Sequence, residues 1–481
     1  MRSLTAALRS LSCLSRRSTF AMSTRSRSAS LSSVSTDEPA AKRQRLEATA
    51  SANGSNEQVT DKVDGKRRNM LPYGKGMHLA PMVRIGTLPV RLLALEYGAE
   101  LVWGPEIVDK AIIGAQRVVN EKTGVISYMK NNRSIFETHP VEKPRLVFQL
   151  GSASPELAVQ ALKVIEADVA GVGLNCGCPK AFSLQGGMGA ALLKEPERLC
   201  AILRALVGAT DLPIDAKIRL LPLPPPDSTS TSATSTATTP SSSSTISSST
   251  AITAPPFPSA LTPTSAPLDT PTLPISPLST EPTLPLVSQI LSTGIANLTV
   301  HCRTQIMRST EPALWERMRE ITRMGEERGI PVVCNGDALG GGEEGIWGNF
   351  AEIREKTGVT SVMIARAAEA NPSCFSRKGL EDPIKVVIPR LLKIAIATSN
   401  HFSNTKYILN AMNLHSSPTP PGRELNRDMK QKMNKARTYE DMCAAFDIGA
   451  EEVAEMRESE VEELVPEWMV RKKEIEMAEK E

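Results

Sequence analysis

Val169-Ala170-Gly171-Val172-Gly173-Leu174-Asn175-Cys176-Gly177-Cys178-Pro179-Lys180 reads as an apolar strand that delivers an asparagine and two cysteines into a loop, and Gly186-Gly187-Met188-Gly189 follows soon after. A strand is stiff, so its carboxyl end holds a side chain in register, and nearby glycines let backbone approach a flat or anionic ligand. Cys178 is therefore placed for chemistry, provided that other strand ends supply partners.

Further apolar, β-branched-rich runs carry the same signature: Met77 to Met82, Glu100 to Glu106, Arg145 to Gln149, Pro213 to Arg219, Ile295 to His301, Ile330 to Asn335 and Thr360 to Arg366. Between most of them lie segments of helical periodicity: Leu88 to Tyr97, Pro155 to Glu166, Pro196 to Val207, Glu311 to Arg328 and Asn349 to Lys356. Alternation of strand and helix implies parallel pairing through right-handed crossovers. With the central run this makes a closed (β/α)8 TIM barrel, an α/β fold in which polar residues at the strand carboxyl ends converge on one mouth.

A chain of 481 residues with 41% hydrophobic content buries a large core and exceeds one domain of usual size. The net charge of +3, from 56 basic and 53 acidic side chains, does not mark a nucleic-acid binder, so any basic footprint must be local. Eight irregularly spaced cysteines, with Cys302 and Cys334 inside expected strands, fit reduced intracellular thiols better than a disulfide framework. No window is long and apolar enough to span a bilayer, so no membrane role is expected.

Residues 1–70 are expected to be a disordered basic tail or a transit segment. They hold no acidic residue before Asp37, and Met1 to Phe20 resembles a mitochondrial transit peptide, whereas Ala41 to Arg45 looks like a nuclear-entry patch. The expected location is cytoplasmic, with mitochondrial and nuclear targeting left open. The barrel is expected over 71–370. It is interrupted over 222–285 by a Pro/Ser/Thr segment that cannot bury enough apolar surface to offset the entropy of ordering it. Stretching a loop from about five to about sixty residues adds only about 2 kcal/mol of closure entropy, so the barrel tolerates it. Helices without strands follow over 371–450, basic at Arg423, Arg427, Lys430, Lys432, Lys435 and Arg437, and a charged helical tail is expected over 451–481. A solvated helix face is the ordinary explanation for such charge.

Leu79-Ala80-Pro81-Met82-Val83, Gln149-Leu150-Gly151, the Asn175 to Lys180 block, Gly186-Gly187-Met188-Gly189, Lys217-Ile218-Arg219, Val300-His301, Asn335-Gly336-Asp337 and Ala365-Arg366-Ala367 occur in this order. Together they resemble the tRNA-dihydrouridine synthase family over about residues 77–450 apart from the insertion. Met82 to Pro89 and Gly187 to Ala191 are most similar to the eukaryotic dihydrouridine synthase 2 branch, which acts on position 20 of the tRNA D-loop. The resemblance implies an FMN-dependent enzyme that reduces the C5=C6 bond of uridine with NADPH as electron source and tRNA as partner; a monomer without a metal is the separate expectation.

It also implies roles. Cys178 matches the acid that protonates C5, and hydride addition at C6 does ask for such a donor; a thiol near its usual pKa is competent. Pro81, Met82 and Val83 would pack on the isoalloxazine edge, with Arg84 and Glu106 nearby, and the Gln149 amide would meet its pyrimidine part. Lys217 and His301 would stabilise charge on reduced flavin. Asn335, Gly336, Asp337, Ala365 and Arg366 would bind the phosphate. Asn175, Lys180 and Arg303 would face the substrate, with Arg308, Lys406, Arg423, Arg427 and Lys430 forming a basic surface for RNA.

Each residue has a plainer reading. Cys178 is also the kind of thiol that is simply buried, and Cys176 with Cys178 is a C-x-C pair without the second pair or histidine that zinc needs. His301 has a lesser reading as a satisfied core histidine, Lys217 as a snorkelling lysine and Asn335-Gly336-Asp337 as a turn, but their place at strand ends on one mouth favours the functional one. Two rival functions share the fold: a flavin oxidoreductase on a free small molecule of the dihydroorotate dehydrogenase kind, and a tRNA-binding protein without catalysis.

Overall fold

The protein is described here by a computed structural model covering residues 62–63, 66–67, 71–224, 281–340, 348–414, 420–466 and 469. The tail expected over 1–70 and the segment expected over 222–285 lie almost wholly outside the described residues, as does the last part of the tail expected over 451–481.

Eight parallel strands close a barrel: β1 (Gly76–Leu79), β2 (Leu101–Trp103), β3 (Leu146–Gly151), β4 (Gly171–Cys176), β5 (Ile214–Arg219), β6 (Asn297–His301), β7 (Val332–Asn335) and β8 (Ser361–Ile364). Each pairs with the next, and β8 returns to β1 through Val362↔Met77 and Ile364↔Leu79. Strand side chains alternate, and the alternation here separates two cores. Leu101, Trp103, Val147, Val333 and Met363 pack with Tyr73 and Ala80 inside the barrel. Phe148, Leu150, Val172, Leu174, Ile218, Leu298 and Val300 point the other way, into the layer shared with the helices.

The outer helices are α1 (Leu88–Glu96), α2 (Pro155–Ile165), α3 (Pro196–Ala209), α4 (Thr283–Leu291), α5 (Arg319–Glu326), α6 (Phe350–Thr357) and the short α7 (Arg366–Ala370). Two expectations need correction. The low-complexity stretch was drawn to residue 285, but α4 already starts at Thr283 because Leu286, Val287, Ile290 and Leu291 give it a buried stripe. The helix drawn over Glu311 to Arg328 shrinks to a turn at Trp315–Arg317 and then α5. The chain leaves and re-enters the fold at adjoining points, since Leu221 N–H donates to Thr283 Oγ1 at 3.1 Å while Arg317 holds both Leu221 O and the Glu281 carboxylate.

One layer escaped the sequence reading. Between β2 and β3 the chain makes a three-stranded antiparallel sheet, Gln116–Val119, Ile126–Lys130 and Arg133–Thr138. Its second hairpin turns on Asn131-Asn132, both at positive φ (51° and 57°), which is the two-residue turn that asparagines favour. A buried ion pair fastens this excursion to α1: Arg91 bonds Glu142 at 2.9 and 2.6 Å, as well as Gly86 O and Glu137 O, and Thr138 donates to the same carboxylate.

After α7 come α8 (Ile388–Ala397), α9 (Phe402–Ala411), α10 (Pro420–Lys435), α11 (Tyr439–Ala444), α12 (Ala450–Glu458) and α13 (Val461–Leu464). The tail expected as one continuous helix from Ala450 is broken at Ser459, whose extended backbone separates α12 from α13. Barrel and C-terminal helices belong to one compact unit, Gln58–Glu481. Helix α8 packs on α1, and Arg390 pairs with Glu96 at 2.9 Å across that contact. Among the described residues no helix is long and apolar enough to cross a membrane.

Arg91→Met should strand a carboxylate that is 0% exposed and lower the unfolding free energy by about 3–5 kcal/mol. Urea denaturation measures this, and a loss below about 1 kcal/mol would contradict the fastening role.

Candidate active site

The carboxyl ends of the strands bring the expected residues to one mouth. On β3 and β4, Asn175 Nδ2 donates to Gln149 Oε1 at 3.3 Å, while Asn175 Oδ1 accepts from the N–H groups of Gly177 and Cys178, both at 3.0 Å. Asn175 thus shapes the turn that presents Cys178. Gln149 Nε2 is buried without a partner, a donor aimed at something other than protein.

Cys178 is half-buried, whereas Cys176 lies in the core. Burial and the neighbouring Glu106 carboxylate push the Cys178 thiol above its ordinary range, so it is held protonated. The glycine-rich loop makes this possible. Gly189 sits at φ +58°, and a Cβ there would come within 2.7 Å of Cys178 O and 3.0 Å of Cys178 Cβ, besides striking Ser183 Oγ.

On β5, Lys217 donates to Asn335 Oδ1 of β7 at 2.9 Å, and Asn335 Nδ2 donates to Met363 O of β8 at 2.8 Å. Burial, helped by Arg219, brings Lys217 down to about 8 against the opposing pull of Asp215. His301 falls to about 2 through burial and then the charges of Lys217, Arg219, Arg303 and Arg366. It is therefore a neutral imidazole, able to donate one N–H but carrying no charge.

A cavity of about 490 Å³ opens beside these residues, lined by Arg219, His301, Arg303, Asn335, Gly336, Asp337, Ala365 and Arg366 among others. Asp337 bonds both Arg303 and Arg366 and also accepts from Ala313 N–H at 2.7 Å; although burial opposes its charge, these donors hold it below the usual carboxylate range. One carboxylate among this many cations leaves the cavity positive.

The remaining expected residues fall differently. Pro81 and Met82 are part-buried in the β1 loop and Val83 is exposed. Arg84, at φ 68°, lies with its guanidinium 3.8 Å over the Tyr407 ring of α9, and Asn404 of the same helix binds its carbonyl at 2.7 Å. Arg303 is 4% exposed and spent on Asp337 and Glu311 O in the cavity wall. Lys180 is exposed at the start of the short helix Ala181–Gln185. Of the basic residues named toward RNA, Lys406 caps α10 by donating to Asn434 O and Ala436 O, and Lys430 donates to Asn410 O; Arg427 is exposed.

Sequence reasoning passed over Arg219 and the polar network below it. Arg219 follows Lys217 by two residues, so strand alternation turns both inward, and Arg219 donates to Gly177 O at 2.8 Å and Thr304 O at 3.1 Å. Asp215, two residues earlier, accepts from Trp103 Nε1 at 3.0 Å and Asn297 Nδ2 at 2.6 Å, in space left because Gly173 has no side chain. Burial raises Asp215 to about 6 despite these donors. Among the described residues no group of His, Cys, Asp and Glu is arranged to hold a metal.

A family model described as dihydrouridine synthase (Dus) matches residues 78–224 and 278–462. The chain belongs to this family. A relative named tRNA-dihydrouridine(20) synthase in Schizosaccharomyces pombe, with NAD(P)+ in its name, is 40% identical over 388 residues, covering 79% of this chain and 66% of its own length. Its counterpart of the same name in Saccharomyces cerevisiae is 34% identical over 357 residues, 71% of this chain and 77% of that protein. A tRNA-dihydrouridine(20a/20b) synthase of Saccharomyces cerevisiae is 22% identical and covers 66% of each chain. The family match spans the barrel and the C-terminal helices alike and breaks only across the insertion.

Gly189→Ala should lower the unfolding free energy by about 1–3 kcal/mol, because it combines a left-handed backbone with a clash at the Cys178 turn. A denaturant midpoint equal to that of the parent protein would contradict this reading of the loop.

Proposed function

We propose that the protein is an FMN-dependent tRNA-dihydrouridine synthase, drawing electrons from NADPH and reducing uridine at position 20 of the D-loop. The observation that carries the reading is the meeting of a protonated thiol, an unpartnered amide and a cationic cavity at one barrel mouth, in a chain of this family. The relatives' names supply the substrate, the position and the nucleotide.

The residues present fit FMN. The positive cavity suits its phosphate, with Arg366 and the backbone around Gly336 as donors. Gln149 Nε2 offers the donor that a flavin pyrimidine edge accepts, and Pro81 with Met82 gives apolar cover. Lys217 would hold its ammonium toward the polar edge of the ring system, with His301 as a neutral donor. When bound, FMN supplies the electrons and hydrogen that saturate C6.

The chain's own chemistry lies at C5. Asn175 fixes the turn of Cys178 and keeps one amide hydrogen, beyond the one given to Gln149, to orient a uracil, and the half-buried thiol keeps its proton until the base develops negative charge. A base inside a folded RNA must be flipped out to reach this mouth. Exposed Lys180 and Arg427 could meet the RNA backbone, as could Arg437 beside α10. Contacts remote from the reacting base must supply the energy of flipping.

Cys178→Ala should keep FMN yet lower dihydrouridine formation in tRNA by on the order of a hundredfold or more, read by nucleoside mass spectrometry. Wild-type rates in that variant would remove the thiol from the mechanism, and turnover of free uracil or dihydroorotate by the wild type would favour the small-molecule reading. FMN affinity of the stripped protein should weaken as the pH rises through about 8, where Lys217 gives up its charge, and this leg should vanish in Lys217→Met. Fluorescence quenching measures it; an unchanged pH profile in the variant would show that another group is responsible.

A further inference from the structure

The Cys178 thiol has a single carboxylate for company. Glu106, in the loop after β2, lies close enough to act on the thiol by charge and hydrogen bonding, as do Ser183 and the backbone at Lys180. Two glycines clear the space. A Cβ on Gly151 would lie 2.8 Å from Glu106 Oε1, and one on Gly189 would lie 3.0 Å from Cys178 Cβ. Glu106 Oε1 is buried without a hydrogen-bond partner, so half of the carboxylate is committed to nothing in the protein. No ion pair claims Glu106 among the described residues; Lys180 acts on it electrostatically from the exposed side. A half-buried carboxyl with one buried oxygen left without a partner, beside the proposed acid, has little to do for the fold.

Resting on the function proposed above, we propose that Glu106 returns the proton to Cys178 between turnovers, acting through the sulfur as a positioning and relay residue. In the first transfer the S–H bond breaks and a C–H bond forms at C5. The thiolate left behind then lies beside a carboxylate, and two negative charges in a part-buried site favour uptake of a proton from water at Glu106. The O–H bond of the carboxylic acid breaks as the S–H bond forms again. Each cycle takes one proton from water and leaves the chain unchanged, with no oxidant or reductant beyond those of the parent reaction. Burial raises Glu106 from its ordinary value while the thiol and Lys180 oppose that rise, which suits a group that takes and passes a proton.

Glu106→Gln, nearly isosteric, tests this in two ways. The first is the pH profile of Cys178 alkylation by iodoacetamide, followed by peptide mass spectrometry on the full chain without added cofactor. The charges acting on or near the sulfur are Glu106, Lys180, Lys217 and Arg219. Glu106 raises the thiol, so its removal should move the inflection to lower pH, while a residue outside the pair would leave it in place. The second is rapid-quench turnover of an unmodified tRNA transcript by the FMN-loaded enzyme. Later turnovers should slow by on the order of tenfold or more relative to the first, whereas the wild type keeps its own ratio. Glu106→Asp, which keeps a carboxyl, should recover much of that ratio, and it carries the test if the glutamine variant fails to fold.

An unmoved alkylation profile, or equal slowing of first and later turnovers, overturns the relay. A wild type that binds no FMN and forms no dihydrouridine overturns the parent reading instead, and the alkylation profile then still decides whether Glu106 governs the thiol.

Discussion

Positive charge gathered at the carboxyl ends of β5 to β8 is the constraint around which the mouth is built. Lys217, Arg219, Arg303 and Arg366 all bear on His301, and Asp337 is shared between two of them. Holding like charges together in a part-buried space costs free energy, and the chain offsets part of it with Asp337, Asn335 and the carbonyls of Gly177, Thr304, Glu311 and Ser309. The excess left over makes the cavity positive. It also reinforces the state of its neighbour, since burial first and then such cations keep His301 neutral.

The thiol side of the mouth obeys the opposite rule. There burial and a carboxylate act together to keep the proton on sulfur. One mouth thus holds a cationic half fit for binding and a proton-holding half fit for chemistry, about a barrel interior whose own buried carboxylate, Asp215, accepts from Trp103, Asn297 and Thr299 and feels the charge of Lys217.

Much of the barrel was legible because each strand joins an apolar, β-branched run to a polar end, and such runs recur between helical segments along the chain. Cys178, Lys217, His301 and Asn335 could be assigned to strand ends for that reason. The antiparallel sheet was missed because its turn signal is Asn131-Asn132, without the glycine that usually announces a hairpin. Arg219 needed only the step from Lys217 to the next inward position. The place of Arg84 could not be read at all: it depends on Tyr407 and Asn404, more than three hundred residues along the chain, and local pattern carries no such contact. Those same contacts tie the β1 loop to α9, so the C-terminal helices help shape the rim of the mouth.

The comparison of FMN with riboflavin is the most direct measure of the charged cavity, because the two ligands differ only in the phosphate. Titration calorimetry on the stripped protein should give FMN an advantage on the order of a hundredfold or more, the worth of a few charge-assisted hydrogen bonds, with Arg366→Ala removing most of it. Equal affinity for the two ligands would contradict the account.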